Sequence, residues 1–341
     1  MLIEIPKLIE TLCNHQSLSS NQSQGLFKKL IEGRLSEIEI SAVLTAFKSK
    51  EIAKDELYGA AKAMLFEEKK VRNRPYPIVD CCGTGGDKVG TFNISTAVSV
   101  VCSTLGLKVA KHGNHAVSSK CGSADILKAC GLNLHQSQNQ LLRSLQEIGL
   151  CFMYAPDHHV GLQYAKKVRG ELKFRTILNV IGPLVNPMRP DYQLLGSYDP
   201  SLCHVMAQVL KKLGCQKALV IHGGGLDELA THDKSTGFIL ENETLSEFEI
   251  TPEEVGLKRR SSLELVGGNI EENKLAFLEL LKGNGSKAYQ DAVAINAGAL
   301  LWLSGKALTL KDGVRESLSI LKTNEPYTKL QELIRLSNDV E

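Results

Sequence analysis

The chain has 341 residues, of which 43% are hydrophobic and 23% charged, with a formal net charge of +2. That size suggests two domains, or one large domain with a smaller companion, and leaves ample apolar material for a core. Lys and Arg are scattered, which excludes the strongly basic stripe of a general nucleic-acid binder and assigns any anionic ligand to a local pocket. Residues 1–70 read as helices only. Leu26, Leu30, Leu35, Ile38 and Val43 recur at three to five residue steps, and the Ala-rich run Gly59-Ala60-Ala61-Lys62-Ala63-Met64 continues the pattern. Arg74-Pro75-Tyr76-Pro77 ends it, because each proline biases its predecessor away from helix.

Strands and helices then alternate. Ile78 to Cys82 reads as a strand, Ile94 to Leu105 as a helix, Lys108 to Lys111 as a second strand, and Ser123 to Cys130 as a helix. Leu150 to Tyr154 and Leu219 to His222 read as a third and a fourth strand. Continuous apolar strands alternating with helices predict a mostly parallel central sheet covered by helices on both faces, with ligands beyond the strands' carboxyl ends. Thr251-Pro252-Glu253-Glu254 carries a helix-start signal, and residues 287–305 predict a long Ala/Leu-rich core helix. The nine cysteines are odd in number and contain no Cys-x-x-Cys pair. On a strand, adjacent Cys81 and Cys82 would point to opposite faces and could not chelate one metal together. Buried thiols, with no leader-like N-terminus and no run long enough to span a membrane, predict a cytoplasmic protein.

Three polar clusters follow the strands. Gly83-Thr84-Gly85-Gly86-Asp87 lets backbone amides approach a phosphate, with the next helix offering its positive end. It is neither a Walker loop nor a dinucleotide fingerprint, since no Gly-Lys-Ser/Thr closes it and Lys88 stands where a third glycine belongs. Thr91, Asn93, Ser95 and Thr96 crowd the helix start, more polar groups than one N-cap requires. Lys111-His112-Gly113-Asn114, then Ser118, Ser119 and Ser123, add a cation, an imidazole and uncharged donors suited to a polyanionic substrate.

Asp80 to Asp87 with Thr91 to Thr96, then Lys111 to Asp125, and the later run Arg175 to Pro187 closely resemble motifs of the anthranilate phosphoribosyltransferases. The resemblance extends over nearly the whole chain. It implies a small all-helical domain, residues 1–72 completed by a segment near 165–190, and a larger α/β domain, residues 73–164 and 191–341. It implies a cleft at their hinge and a homodimer formed through the helical domains. Carried over, the phosphoribosyl pyrophosphate contacts fall on Gly83, Gly85, Gly86, Asp87, Thr91, Asn93, Ile94, Ser95 and Thr96. They continue on Lys111, His112, Gly113, Asn114, Ser118, Ser119 and Ser123. Gly83, His112, Asn114 and Arg169 match the anthranilate site, and Ser95, Asp227 and Glu228 match the Mg²⁺ ligands. The last pair and Arg169 also suit their roles chemically, since Mg²⁺ prefers hard oxygen ligands and a guanidinium grips a carboxylate with two parallel hydrogen bonds. Three departures stand out. His115 replaces a frequent arginine and weakens the local positive charge, Leu178 replaces a common Phe, and Cys81-Cys82 replace aliphatics.

The implied reaction joins the amino nitrogen of anthranilate to C1 of the ribose, with pyrophosphate leaving, in tryptophan biosynthesis. No dedicated acid or base residue is expected, because an aryl amine is nucleophilic without prior deprotonation. A pyrimidine nucleoside phosphorylase is the nearest rival and would not need Asp227 and Glu228. A non-catalytic nucleic-acid-binding relative would show a basic stripe, which is absent. No membrane association is expected.

Overall fold

The computed structural model describes residues 4–65, 75–85, 90–116 and 120–339. Four helices open the chain: Ile5–Cys13, Ser20–Ile31, Glu37–Lys48 and Lys54–Met64. Ser19 with Gln22 and Ser36 with Glu39 form capping boxes at two of their starts, each serine side chain satisfying an amide that the first turn leaves open. The fully buried Glu56 ties the group together by accepting hydrogen bonds from Leu18 N, Ala53 N and Lys50 Nζ.

Seven strands follow: β1 Val79–Gly83, β2 Val109–Gly113, β3 Leu150–Tyr154, β4 Tyr192–Gly196, β5 Lys217–Gly223, β6 Ser235–Glu241 and β7 Thr244–Ile250. They make one sheet in the order β3-β2-β1-β4-β5-β6-β7. The first five are parallel, and β6 and β7 add an antiparallel hairpin. Alternate side chains enter different cores. Val79, Cys81, Val109, Phe152, Leu194 and Ile221 pack with helices Ile94–Thr104 and Lys287–Leu303. Leu195, Ala218 and Val220 face the other way, onto helix Ser201–Leu213 and a core shared with the N-terminal helices, Ala165, Val168 and Ile177 to Val185. Both faces are therefore covered, and cysteines 81 and 82 point to opposite sides. Cys81 Sγ donates to Ser95 O at 3.2 Å, and Cys82 Sγ donates to Pro183 O at 3.8 Å.

Several elements differ from the sequence reading. The strand around Leu219 is the fifth, because β4 intervenes between it and β3. β4 is a short run between Pro190 and Pro200, buried on both faces, so neither alternation nor length announces it. The β6–β7 hairpin turns at Asn242 and Glu243, which both adopt the left-handed backbone of a two-residue turn without the Asn-Gly signature. The Thr251 signal starts only a 3₁₀ turn, Glu253–Val255, although Thr251 and Glu254 do pair side chain to side chain. The predicted long helix is found at Lys287–Leu303. No helix among the described residues is long and apolar enough to cross a membrane.

Candidate active site

The carboxyl ends of β1, β2 and β5 converge. Gly83 pairs in register with Gly196 of β4, and both lie against Asp227. A Cβ at Gly83 would overlap Asp227 Oδ2, and one at Gly196 would overlap its carbonyl oxygen, so the two glycines make the space that Asp227 fills. Asp227 then accepts a hydrogen bond from Gly85 N at 2.7 Å, and Gly85 itself has a φ of 70°, which glycine adopts without strain. Asp227 is 8% exposed, so it is a buried carboxylate and not the solvated loop residue its glycine-rich neighbourhood suggests. Its neighbour Glu228 is half-buried. Gly86 and Asp87 of the glycine loop, and Ser118 and Ser119, lie outside the described residues.

Helix Ile94–Thr104 starts beside this corner. Asn93 donates from Nδ2 to Cys121 O at 3.1 Å, while its Oδ1 and the Thr96 hydroxyl are buried without a hydrogen-bond partner among the described residues. Thr91 and Ser95 are half-buried. Ile94 differs from its neighbours: its side chain is in the core and its amide donates to Phe92 O at 2.7 Å.

Lys111 and His112 lie in β2 rather than beyond it, and both are buried. Lys111 Nζ donates to Cys81 O at 2.7 Å and to Ser95 Oγ at 3.2 Å. Burial opposes its charge, but the neighbouring acidic groups Cys81, Asp80, Cys82 and Glu228 outweigh that and hold its pKa above the usual lysine value. A fixed cation thus stands beside Ser95 and within the field of Glu228. His112 is the converse. Burial, reinforced by His159, His158 and Lys111, pushes its pKa well below the ordinary 6.5, so the ring is neutral. Its Nε2 is buried with no hydrogen-bond partner among the described residues, and its ring meets that of His159 edge-on at 5.1 Å. An unpartnered buried nitrogen carries a desolvation cost that a bound ligand can relieve.

Beyond β2, Asn114 is exposed, and its amide donates to Ser123 Oγ at 3.2 Å. Gly113 leaves room for that serine, since a Cβ there would overlap the Ser123 hydroxyl. Asp125 accepts from Ala116 N at 2.9 Å and Gly122 N at 2.8 Å, and pairs with His115 Nδ1. His115 thus gives Asp125 a side-chain partner beside its two backbone amides. Sequence reasoning gives no role to Asp125, which brackets the turn after β2, or to His159, whose ring meets His112, because neither carries a local signal.

Arg169 lies in the helix Lys166–Leu172, reached from the carboxyl end of β3 by a segment that includes His159. It is half-buried, burial lowers its pKa, and its guanidinium has no hydrogen-bond or ion-pair partner among the described residues. Glu171 does not pair with it. A partly desolvated, unpaired guanidinium is suited to a carboxylate ligand. Among the described residues no group of three or more His, Cys, Asp and Glu could hold a metal, so Asp227 and Glu228 offer a two-carboxylate donor set. A cavity of about 600 Å³ lies elsewhere, at the amino ends of β1, β4 and β5, lined by Tyr76, Asp191 and Gln216 among others. Its walls carry none of the groups above.

Residues 75–326 match the α/β domain of a glycosyl transferase family, and residues 6–66 match that family's helical bundle domain. The anthranilate phosphoribosyltransferase of Pseudoalteromonas translucida (strain TAC 125) is 42% identical over 334 residues, 98% of this chain and 94% of that protein. The crystal structure of anthranilate phosphoribosyltransferase from Thermus thermophilus superposes with a TM-score of 0.90 at 34% identity, covering 97% of this chain and 99% of that one. The Saccharomyces cerevisiae enzyme, in complex with PRPP and Mg, has the same fold at a TM-score of 0.89 and 24% identity, covering 98% of each chain.

Proposed function

The chain belongs to the anthranilate phosphoribosyltransferase family, and from that premise we infer that it transfers the phosphoribosyl group of phosphoribosyl pyrophosphate to anthranilate in tryptophan biosynthesis. The products are N-(5-phosphoribosyl)anthranilate and pyrophosphate. The observation that carries the residue-level reading is the meeting of three strand ends: the glycine turn after β1, buried Lys111 in β2, and buried Asp227 after β5, which hydrogen-bonds the glycine turn.

In this reading the glycine turn, with Gly83, the exposed Gly85, Gly86 and Asp87, receives the pyrophosphate, and the start of helix Ile94–Thr104 adds its positive end. Thr91, Asn93, Ser95, Thr96, Asn114, Ser118, Ser119 and Ser123 hold the ribose and its 5-phosphate. The buried hydroxyl of Thr96 and Oδ1 of Asn93, which lack partners, favour a polar ligand at this corner. Lys111 supplies fixed positive charge. Neutral His112 presents Nε2 to anthranilate, beside Gly83 and Asn114, while Arg169 grips its carboxylate. The N–C1 bond forms as the C1–oxygen bond to pyrophosphate breaks, and the amine nitrogen then loses a proton. Positioning and charge neutralisation are the main contributions of the protein.

Asp227 and Glu228 offer hard oxygen donors beside the glycine turn and fit Mg²⁺, which binds through one or two carboxylates plus substrate phosphates. Ser95 is the third proposed ligand. When bound, Mg²⁺ would neutralise charge on the leaving pyrophosphate. We further propose that residues 1–72 with a segment near 165–190 form one domain, that two chains pair through it, and that the enzyme works in the cytoplasm. A coupled assay tests the activity: anthranilate should be consumed only when phosphoribosyl pyrophosphate and Mg²⁺ are both present. Thymidine or uridine phosphorolysis with anthranilate untouched would overturn it.

A further inference from the structure

The glycine loop is pinned at both ends by segments far along the chain. At its entry, Asp227 accepts from Gly85 N. At its exit the partner is Leu265–Gly267. Phe92 N donates to Leu265 O at 3.0 Å, Gly267 N donates to Gly90 O at 2.9 Å, and Thr91 forms an isolated bridge with Val266. One side chain grips both sides of that bridge. The Tyr289 hydroxyl donates to Val266 O at 3.1 Å, and its ring stacks on the buried Phe92 ring, with centroids 3.8 Å apart and planes inclined by 15°. Tyr289 sits in the first turn of helix Lys287–Leu303, whose buried residues run almost its whole length, so the clamp is anchored in the core.

We propose that Tyr289 is a positioning residue for phosphoribosyl pyrophosphate, acting through Phe92 and Val266 on the backbone of residues 90–93. This rests on the function proposed above. The residues it fixes lead directly into Asn93, Ser95 and Thr96, and the direction in which the helix start points depends on how Phe92 is held. A tyrosine acting only as core filler would need its ring, whereas here the hydroxyl bonds the carbonyl of the residue paired with Thr91. Gly267 belongs to the same device. A Cβ there would lie 3.1 Å from Phe92 Cα, tighter than ordinary contact, so this glycine lets the two backbones approach.

Steady-state kinetics of the full-length enzyme with Mg²⁺, varying each substrate in turn, test the proposal. Tyr289→Leu should raise KM for phosphoribosyl pyrophosphate about tenfold and leave KM for anthranilate within about twofold, since small displacements of positioning groups are costly. Tyr289→Phe keeps the stacked ring but releases Val266 O, and should raise the same constant by a smaller factor of about threefold, which a ring acting only as core filler would not do. Gly267→Ala, with Tyr289 intact, should move the same constant in the same direction, which keeps the test sound if Tyr289→Leu folds poorly. An unchanged KM for phosphoribosyl pyrophosphate in both variants, or an equal rise for both substrates, would overturn the role of Tyr289 alone. A wild-type enzyme that ignores phosphoribosyl pyrophosphate would overturn the proposed function with it.

Discussion

Arg169 shows how much a single side chain's surroundings decide. Glu171 is close in sequence and would make an ordinary surface pair, yet the guanidinium is half-buried and unpaired among the described residues. Losing a charge-assisted bidentate contact costs about 1.5–3 kcal/mol, or roughly ten- to a hundred-fold in affinity. Arg169→Ala should therefore raise KM for anthranilate by that factor while KM for phosphoribosyl pyrophosphate stays within a few-fold. Equal losses for both substrates, measured by varying each in turn, would reassign Arg169 to domain closure. At this scale the sequence identified residue types well and surroundings poorly. Asp227 was legible as half of an acidic pair, but its burial follows from Gly83 and Gly196, which meet it only once β1 and β4 are side by side. Asp125 likewise acquires meaning from backbone amides that bracket it in space.

Among the described elements, helices Lys287–Leu303 and Leu310–Ile320 pack closely where Gly298 meets Gly313. A Cβ on Gly298 would stand 2.5 Å from Val314 N and 2.9 Å from Gly313 C. Two effects compete in Gly298→Ala. Helix propensity favours alanine by about 1 kcal/mol, and overpacking costs about 1–3 kcal/mol. Because the obstructing atoms are backbone, the clash should win and the variant should unfold at a lower temperature and denaturant concentration. A more stable variant would mean that the helix pair can separate freely. The long helix was legible because its Ala/Leu-rich sequence runs for 17 residues without a proline. β1, β2, β3 and β5 were legible from apolar runs ending in glycine or polar clusters. β4 and the β6–β7 hairpin were not. β4 is five residues long between prolines, and β7 is mostly exposed with no clean alternation.

For the molecule as a whole, the segment containing residues 177–188 is joined to the sheet through buried polar groups. Asn186 Nδ2 donates to Asp80 Oδ2 at 2.8 Å, Gln193 Nε2 donates to Pro183 O at 2.7 Å, and His159 Nε2 lies 3.0 Å from Val185 O. Burial, with His158 nearby, lowers the pKa of His159 from 6.5 to about 4, and burial also holds His112 beside it well below the ordinary histidine value. A depressed histidine pKa means the unfolded chain binds the proton more readily. The stability of this junction is thus complete above about pH 6.5 and is lost progressively as pH falls towards about 4. The thermal midpoint should be flat between about pH 7 and 8 and should drop steeply below about 6.5. His159→Gln should make that drop shallower, and an identical slope in the variant would exclude His159 as a source.

The strand order also has a consequence for how the chain is made. Synthesis delivers β1, β2 and β3 first, and these pair on one side of β1 only. The other side of β1 waits for β4, which emerges after the intervening helical segments, and β5 can join only after β4. Until then β1 presents open backbone donors and acceptors at an apolar edge, the condition under which nascent chains associate wrongly. The corner where Gly83 meets Gly196 and Asp227 closes only when that gap is filled, so recovery of activity after dilution from denaturant reports the last assembly step, not the first collapse.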